Sequence, residues 1–239
     1  TPAGKSLPLG HLPMNMAVSQ SGHSFAVTTN GQSTQTIQLF DTKTAQELDK
    51  VTIGKAWGGL TFSGDEKALF ASGGDDNWVI QYRIAGNQLK AVDTFKLGAP
   101  WPTAKISPTG VKVNDKTGQL YVTTKLDNSL YLFDLKTKRK TSIPLGAEAY
   151  SSVLSPDGRE LYISLWGSQK VAIFDTRKKT VTGEIKVGDH PNDLCISKNG
   201  RFLYVANAND NTVSVIDVKK RAVLETLNTA IYPTKLSGT

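Results

Sequence analysis

The sequence holds one cysteine, three histidines and two methionines among its 239 residues. A single thiol excludes an intramolecular disulfide, so no disulfide framework holds this fold together. A zinc centre needs three or four ligands converging on one point, and with three histidines in all and a thiol inside an apolar run none is expected. Neither a metal nor a cofactor is expected. No stretch approaches the roughly 18 apolar residues that suggest a membrane-spanning helix. The opening TPAGKSLPLG lacks the charged segment and apolar core of a signal peptide. There is no Gly-x-Ser-x-Gly elbow, no Gly-x-x-x-x-Gly-Lys phosphate cradle and no dinucleotide fingerprint, so no residue is assigned a catalytic role. Cys195 lies in the apolar run Leu194–Ile196 and is expected to be a buried structural thiol.

The sequence does contain 21 glycines, little helical periodicity, and a repeat. SPDGRELYISLWGSQKVAIFDTRKKT from Ser155 aligns with SKNGRFLYVANANDNTVSVIDVKKRA from Ser197. Weaker copies start at Ser19, Ser63 and Asn114. Each runs from a polar turn through an alternating strand, a polar loop and a second alternating strand to a closing position. Those closing positions are Asp41, Arg83, Asp134, Asp175 and Asp217, spaced 42, 51, 41 and 42 apart. An apolar–Gly pair gives a second marker at Gly10, Gly54, Gly98, Gly146 and Gly188, spaced 44, 44, 48 and 42.

A period of about 40–45 with strand patterning is the length of a four-stranded propeller blade. A helical array of the same period is excluded by Gly and Asn/Asp clusters every 8–12 residues or so. In the last copy the strands are expected at Asp193–Ser197, Phe202–Ala206, Thr212–Ile216 and Ala222–Leu227. The fold expected is all-β, a β-propeller of four-stranded antiparallel blades. Five blades are expected, over 15–57, 58–104, 105–150, 151–193 and 194–239, with 1–13 as a lone outer strand and 1–239 as a single domain. One such sheet cannot bury both faces, so neighbours must stack on it.

Tyr204-Val205-Ala206-Asn207 and Tyr121-Val122-Thr123-Thr124, with DNTVSVID after the first, resemble the YVTN-type β-propeller repeat. The first copy departs from it at Ala26 and the second at Phe70. LPMNMAVS, TTNGQS and HPNDLCISKNG further resemble the N-terminal propeller of bacterial proteins that join a YVTN propeller to an alkaline-phosphatase-type phosphoesterase domain. That resemblance implies about seven blades, so that the chain is a fragment of a larger ring, with five blades closing beside an extra strand as the alternative. It also implies export to the periplasm or cell surface, and metals carried by the phosphoesterase half, which nothing in this sequence matches. An incomplete ring would leave sheet faces open to self-association.

In a blade, the loops between strands two and three and those leading into strand one share one end, the default ligand site. The candidates there are His11, Asn15, Trp57, Trp101, Tyr150, Trp166, His190 and Asn192, with Glu148 and Asp189 as the carboxylates nearby. Packing between blades is the competing reading for the indoles. The acidic loops at Asp75-Asp76 and Asp127 lack a calcium-loop pattern and are expected to be solvated turns. Asp157 and Glu160 flank a turn at the other end, where nothing is expected to shift either pKa.

The net charge of +7 is concentrated after the closing aspartates. Lys136, Lys138, Arg139 and Lys140, then Arg177, Lys178 and Lys179, then Lys219, Lys220 and Arg221 form an expected basic rim. It suits an anionic surface, a glycan or a partner domain. It lacks the interleaved aromatics of specific nucleic-acid recognition. Three functions stay open. One is a non-catalytic binding or scaffold module supporting an attached phosphoesterase domain. Another is a small-molecule hydrolase, lactonase-like, at the propeller mouth. The third is a structural surface-layer repeat protein.

Overall fold

Each repeat closes into its own four-stranded antiparallel sheet, in strand order one to four. The computed structural model describes residues 6–230. Sheet one is β1 (Pro13–Val18), β2 (Ser24–Thr29), β3 (Thr36–Asp41) and β4 (Glu47–Thr52). Sheet two is β5 (Leu60–Phe62), β6 (Ala68–Ser72), β7 (Trp78–Ala85) and β8 (Gln88–Lys96). Sheet three is β9 (Pro108–Asn114), β10 (Gln119–Thr124), β11 (Ser129–Asp134) and β12 (Lys140–Pro144). Sheet four is β13 (Ala149–Leu154), β14 (Glu160–Leu165), β15 (Lys170–Asp175) and β16 (Thr180–Lys186). Sheet five is β17 (Pro191–Ile196), β18 (Phe202–Asn207), β19 (Thr212–Asp217) and β20 (Ala222–Asn228). The chain divides into two compact units. Residues 1–127 and 131–142 form unit 1; residues 128–130 and 143–239 form unit 2.

The repeated residues prove to be turn chemistry. Ser63, Ser155 and Ser197 each accept, through Oγ, the backbone N–H five residues on, at 2.9, 3.0 and 2.9 Å. This closes the turn between the first two strands. Glycines 158 and 200 complete their turns at φ of 73° and 71°, which a β-carbon would strain. The closing aspartates fold the next turn. Asp41, Asp134 and Asp175 each accept, through Oδ1, an N–H three residues on, at 2.7, 2.7 and 2.8 Å. These are Asx turns, and donation to the carboxylate holds Asp41 and Asp175 below the usual carboxylate range. The apolar–Gly marker is a strand terminus. Leu97, Leu145 and Val187 donate N–H to the carbonyls of Asn77, Asn128 and Gln169, left-handed residues that open the third strand of each sheet.

Stacking is clearest around β6, every residue of which is buried. Leu69 and Ala71 pack with Ala26, Ile37 and Leu39 of sheet one. Ala68 and Phe70 pack with Val111, Leu120 and Phe133 of sheet three. Period-two alternation thus feeds two cores from one strand. In unit 2, Val171 and Ile173 pack in the same way against Leu194, Leu203 and Ile216.

The structure moves several expected boundaries. The limits at 150/151 and 193/194 cut through β13 and β17. Each of these strands pairs once more, Ala149 with Leu165 and Pro191 with Asn207, ahead of an irregularity in register. The strand expected at Asp193–Ser197 is accordingly Pro191–Ile196. Residues 6–12 hold no strand and Pro13 already belongs to β1; Gly10 N–H meets the Gln38 side chain at 3.1 Å, with no strand pairing there. The remainder of the expected outer strand, residues 1–5, lies outside the described residues. Cys195 is exposed, contrary to the buried thiol expected. Alternation turns Leu194 into the core and Cys195 to the opposite face, beside half-buried Tyr204.

Candidate functional site

Antiparallel connectivity sends two kinds of segment to one end of each sheet: the loops between strands two and three, and the segments entering strand one. In unit 2 these are residues 145–150, 166–169, 187–190 and 208–211. They bring together three of the expected residues. The Trp166 indole stacks on Tyr150 with centroids 5.9 Å apart and planes at 28°. It meets His190 edge-on at 4.2 Å and 76°. A 3-10 turn at Trp166–Ser168 presents the indole. His190 sits at φ 51°, immediately ahead of Pro191.

A polar network surrounds this aromatic row. His190 Nδ1 is 2.9 Å from Asp189 Oδ2 and 2.7 Å from Asn209 Nδ2. As an N–H it donates to Asp189; unprotonated, it accepts from Asn209. Asp189 also accepts from Gln169 at 3.1 Å and from Asn209 at 3.1 Å. Its own N–H donates to Asp210 at 2.7 Å. Donation from His190, then from Asn209 and Gln169, holds the Asp189 carboxyl below its ordinary value. Burial, then the nearby Glu148 carboxylate, pushes the Tyr150 phenol up. Asn192 stands apart from this network, its carbonyl accepting Ser164 Oγ at 2.7 Å.

The remaining candidates belong to unit 1. Lys125 Nζ lies 4.3 Å from the Trp57 ring centroid, a cation–π contact. Trp101 is 49% exposed, and its backbone N–H donates to Asp75 O at 2.8 Å. The fourth tryptophan, Trp78, is structural: its indole lies where a side chain on Gly73 would stand. His11 is exposed and closes over Gly31, where a β-carbon would come 2.4 Å from His11 Cβ. Asn15 proves to be a peg. Its amide nitrogen donates to Gly58 O and its oxygen accepts Met16 N–H at 2.7 Å, so backbone takes up both ends.

Three acidic expectations change. Asp127 is no solvated turn residue: half-buried, it accepts Tyr131 O–H at 2.7 Å and Thr124 Oγ1. Asp76 pairs with Lys55 at 3.8 Å, its side chain only 19% exposed. Asp157 does shift, downward, because Ser155 and then the Arg159 N–H donate to it. A carboxyl held lower is a poorer general acid or base near neutral pH. The basic rim is also partly spent. Lys138 pairs with Asp93 and covers Phe95 at 4.0 Å. Lys140 donates to Leu97 O at 2.6 Å. Arg221 bonds Glu160 at 2.7 Å. These cations tie a turn to the preceding sheet. Lys136, Arg139, Arg177, Lys178, Lys179, Lys219 and Lys220 remain exposed.

A family model described as "Lactonase, 7-bladed beta-propeller" matches residues 146–234. The chain is built of β-propeller blades. The matched span holds sheets four and five and the whole Tyr150–Trp166–His190 cluster. No curated protein matches the chain. Among the described residues, no three His, Cys, Asp or Glu side chains group as a metal site would require. The sequence pointed to Asp189 but not to Gln169, Asn209 and Asp210 as its partners in one network. Their signal was the run of amides and carboxylates in GSQ and NANDN, which the repeat alone accounts for equally well.

Proposed function

We propose that this chain is a ligand-binding propeller module, non-catalytic by itself, that takes a carbohydrate at the loop end of sheets four and five. The observation that carries this reading is the aromatic row of Tyr150, Trp166 and His190, edged by Asp189, Asn209 and Gln169. A sugar ring has an apolar C–H face that stacks on an indole, and hydroxyls that suit carboxylate and amide groups. The contacts of His190 are to Asp189 and Asn209, neither of which is a hydroxyl or thiol nucleophile. A phosphoesterase domain attached to such a module would supply the chemistry, and export would suit a glycan ligand.

Tryptophan fluorescence titrated with a panel of neutral oligosaccharides tests it. At least one should bind, and Trp166→Ala should weaken that binding at least ten-fold while Trp101→Ala leaves it unchanged. Binding unaffected by Trp166→Ala, or no binding across the panel, overturns the reading.

A second reading is favoured by the lactonase match over the same residues and by the Asp189–His190 pair. An aspartate on Nδ1 orients an imidazole to act as a general base on water through Nε2, which would open a lactone ring. Hydrolysis of an aldonolactone above the spontaneous rate, abolished by His190→Ala, would replace the module reading. Phosphomonoester turnover by this chain is expected to be nil, and clear metal-dependent turnover would sink the non-catalytic assignment.

A further inference from the structure

The turns of sheets four and five lie at the end of unit 2 opposite the aromatic loops, and they carry most of its cations. Arg177, Lys178 and Lys179 occupy the turn between β15 and β16. Lys198 lies between β17 and β18, and Lys219 and Lys220 between β19 and β20. All six are exposed. Asp157 and Glu160 there are engaged by Arg159 and Arg221. Asp175 and Asp217 are folded into their turns, accepting N–H from Lys178 and Lys220 at 2.8 and 2.9 Å.

The two sets of turns form one surface. Gly200 packs so closely on Pro156 that a β-carbon there would lie 3.1 Å from Pro156 Cδ. Arg221 reaches back to Glu160, and its Nη1 lies against Gly183 of β16. Lys179 and Arg221 hold φ of 56° and 52°, where Gly or Asn would be less strained. The Arg221 charge is taken by Glu160, whereas Lys179 is exposed.

We propose that this turn end is a docking surface for a membrane bearing anionic phospholipid. Long cationic side chains on a row of hairpin turns meet a planar anionic surface without needing a groove. The Arg201 guanidinium covers the Phe202 ring at 4.8 Å, which removes the nearby aromatic face from base stacking. The opposite end carries Glu148, Asp189 and Asp210 against the exposed Lys186, with Lys170 paired to Glu184 at 2.6 Å, so it is the less cationic end and docking would leave the aromatic loops facing away from the bilayer. Each cation near such a surface adds roughly five-fold to partitioning.

Co-sedimentation of the full chain with vesicles of phosphatidylglycerol and phosphatidylcholine tests this, against phosphatidylcholine alone. Binding is expected only to the anionic vesicles, with release in high salt. The variant carrying Lys178→Glu, Lys198→Glu, Lys219→Glu and Lys220→Glu should lose at least about 100-fold in binding. The four Lys→Gln changes should lose less, with both variants keeping the native circular dichroism spectrum. Equal binding to both vesicle types, binding unchanged in the Glu variant, or binding to heparin or DNA but not to vesicles would each overturn the assignment. The test is independent of the carbohydrate reading, because Trp166→Ala should dock like the unaltered chain.

Discussion

Replacing Asn77 should destabilise the protein by an amount its geometry sets. Asn77 is fully buried, with φ 56°, at the end of the 3-10 turn Gly74–Asp76. Its amide nitrogen donates to Ala99 O at 2.6 Å and Ala104 O at 2.8 Å, and its oxygen accepts Ser107 N–H at 2.8 Å. One side chain therefore ties the segment carrying Trp101 to the loop carrying Asp75. Asn77→Ala leaves three backbone groups without that partner, at about 1–1.5 kcal/mol each, near the low end for unpaired buried groups. It also places an L side chain at positive φ without the local bonding that asparagine tolerates, about 1 kcal/mol more. The sum is about 4–5.5 kcal/mol. Asn77→Gly removes the strain but not the lost bonds, so it should be about 1 kcal/mol less damaging than alanine. Asn77→Asp puts a carboxylate against two carbonyl oxygens, which raises its folded pKa above the unfolded value near 3.9. For a raised pKa, the stabilising form is the protonated one. The aspartate variant should therefore recover toward the parent as pH falls to about 4, and lose that stability as pH rises through its folded value. Urea denaturation followed by circular dichroism at pH 7 and pH 4 measures all three. A loss under about 1 kcal/mol for Asn77→Ala, or an aspartate variant insensitive to pH relative to the parent, would refute the argument.

Two further outcomes follow from burial. Tyr82 is pushed up to about 12 by burial, and Tyr131 and Tyr162 are raised by burial first and then by donation to Asp127 and Glu160. Their neutral forms stabilise the fold below about pH 10, and that stability is lost as pH rises through the folded values. In an absorbance titration at the phenolate band these three should stay silent until unfolding. All seven tyrosines titrating near the free value in native protein would contradict this. Cys195 is exposed, yet its thiol is raised by burial and then by Asp193. Ellman's reagent should therefore label one thiol in native protein, more slowly than a free cysteine, and Asp193→Asn should speed it. Labelling that requires denaturant would refute the exposed placement.

Much of the fold was legible because repetition makes turn chemistry visible. The Ser of Ser-x-x-Gly, the closing Asp and the apolar–Gly pair recur at one period, and each is a local hydrogen-bonding device. Cys195 was misread because an apolar run does not say which alternate residue faces a neighbour, and one flanking side chain on each side cannot decide it. The rim was read as uniform because charge in a turn is visible, whereas the carboxylate that captures Arg221 lies 61 residues away at Glu160.

The sequence by itself determined the repeating unit, its strand order and the end of each blade at which a residue falls. Those follow from local bonding and from alternation, which need no neighbours. Only the tertiary structure decided which loop residues meet. Tyr150, Trp166 and His190 come from three different segments, and their contact depends on how sheet five packs on sheet four. The same packing made a network of Asp189, Asn209 and Gln169 and set Arg221 on Glu160, while in unit 1 the Gly58 carbonyl turned Asn15 into a peg.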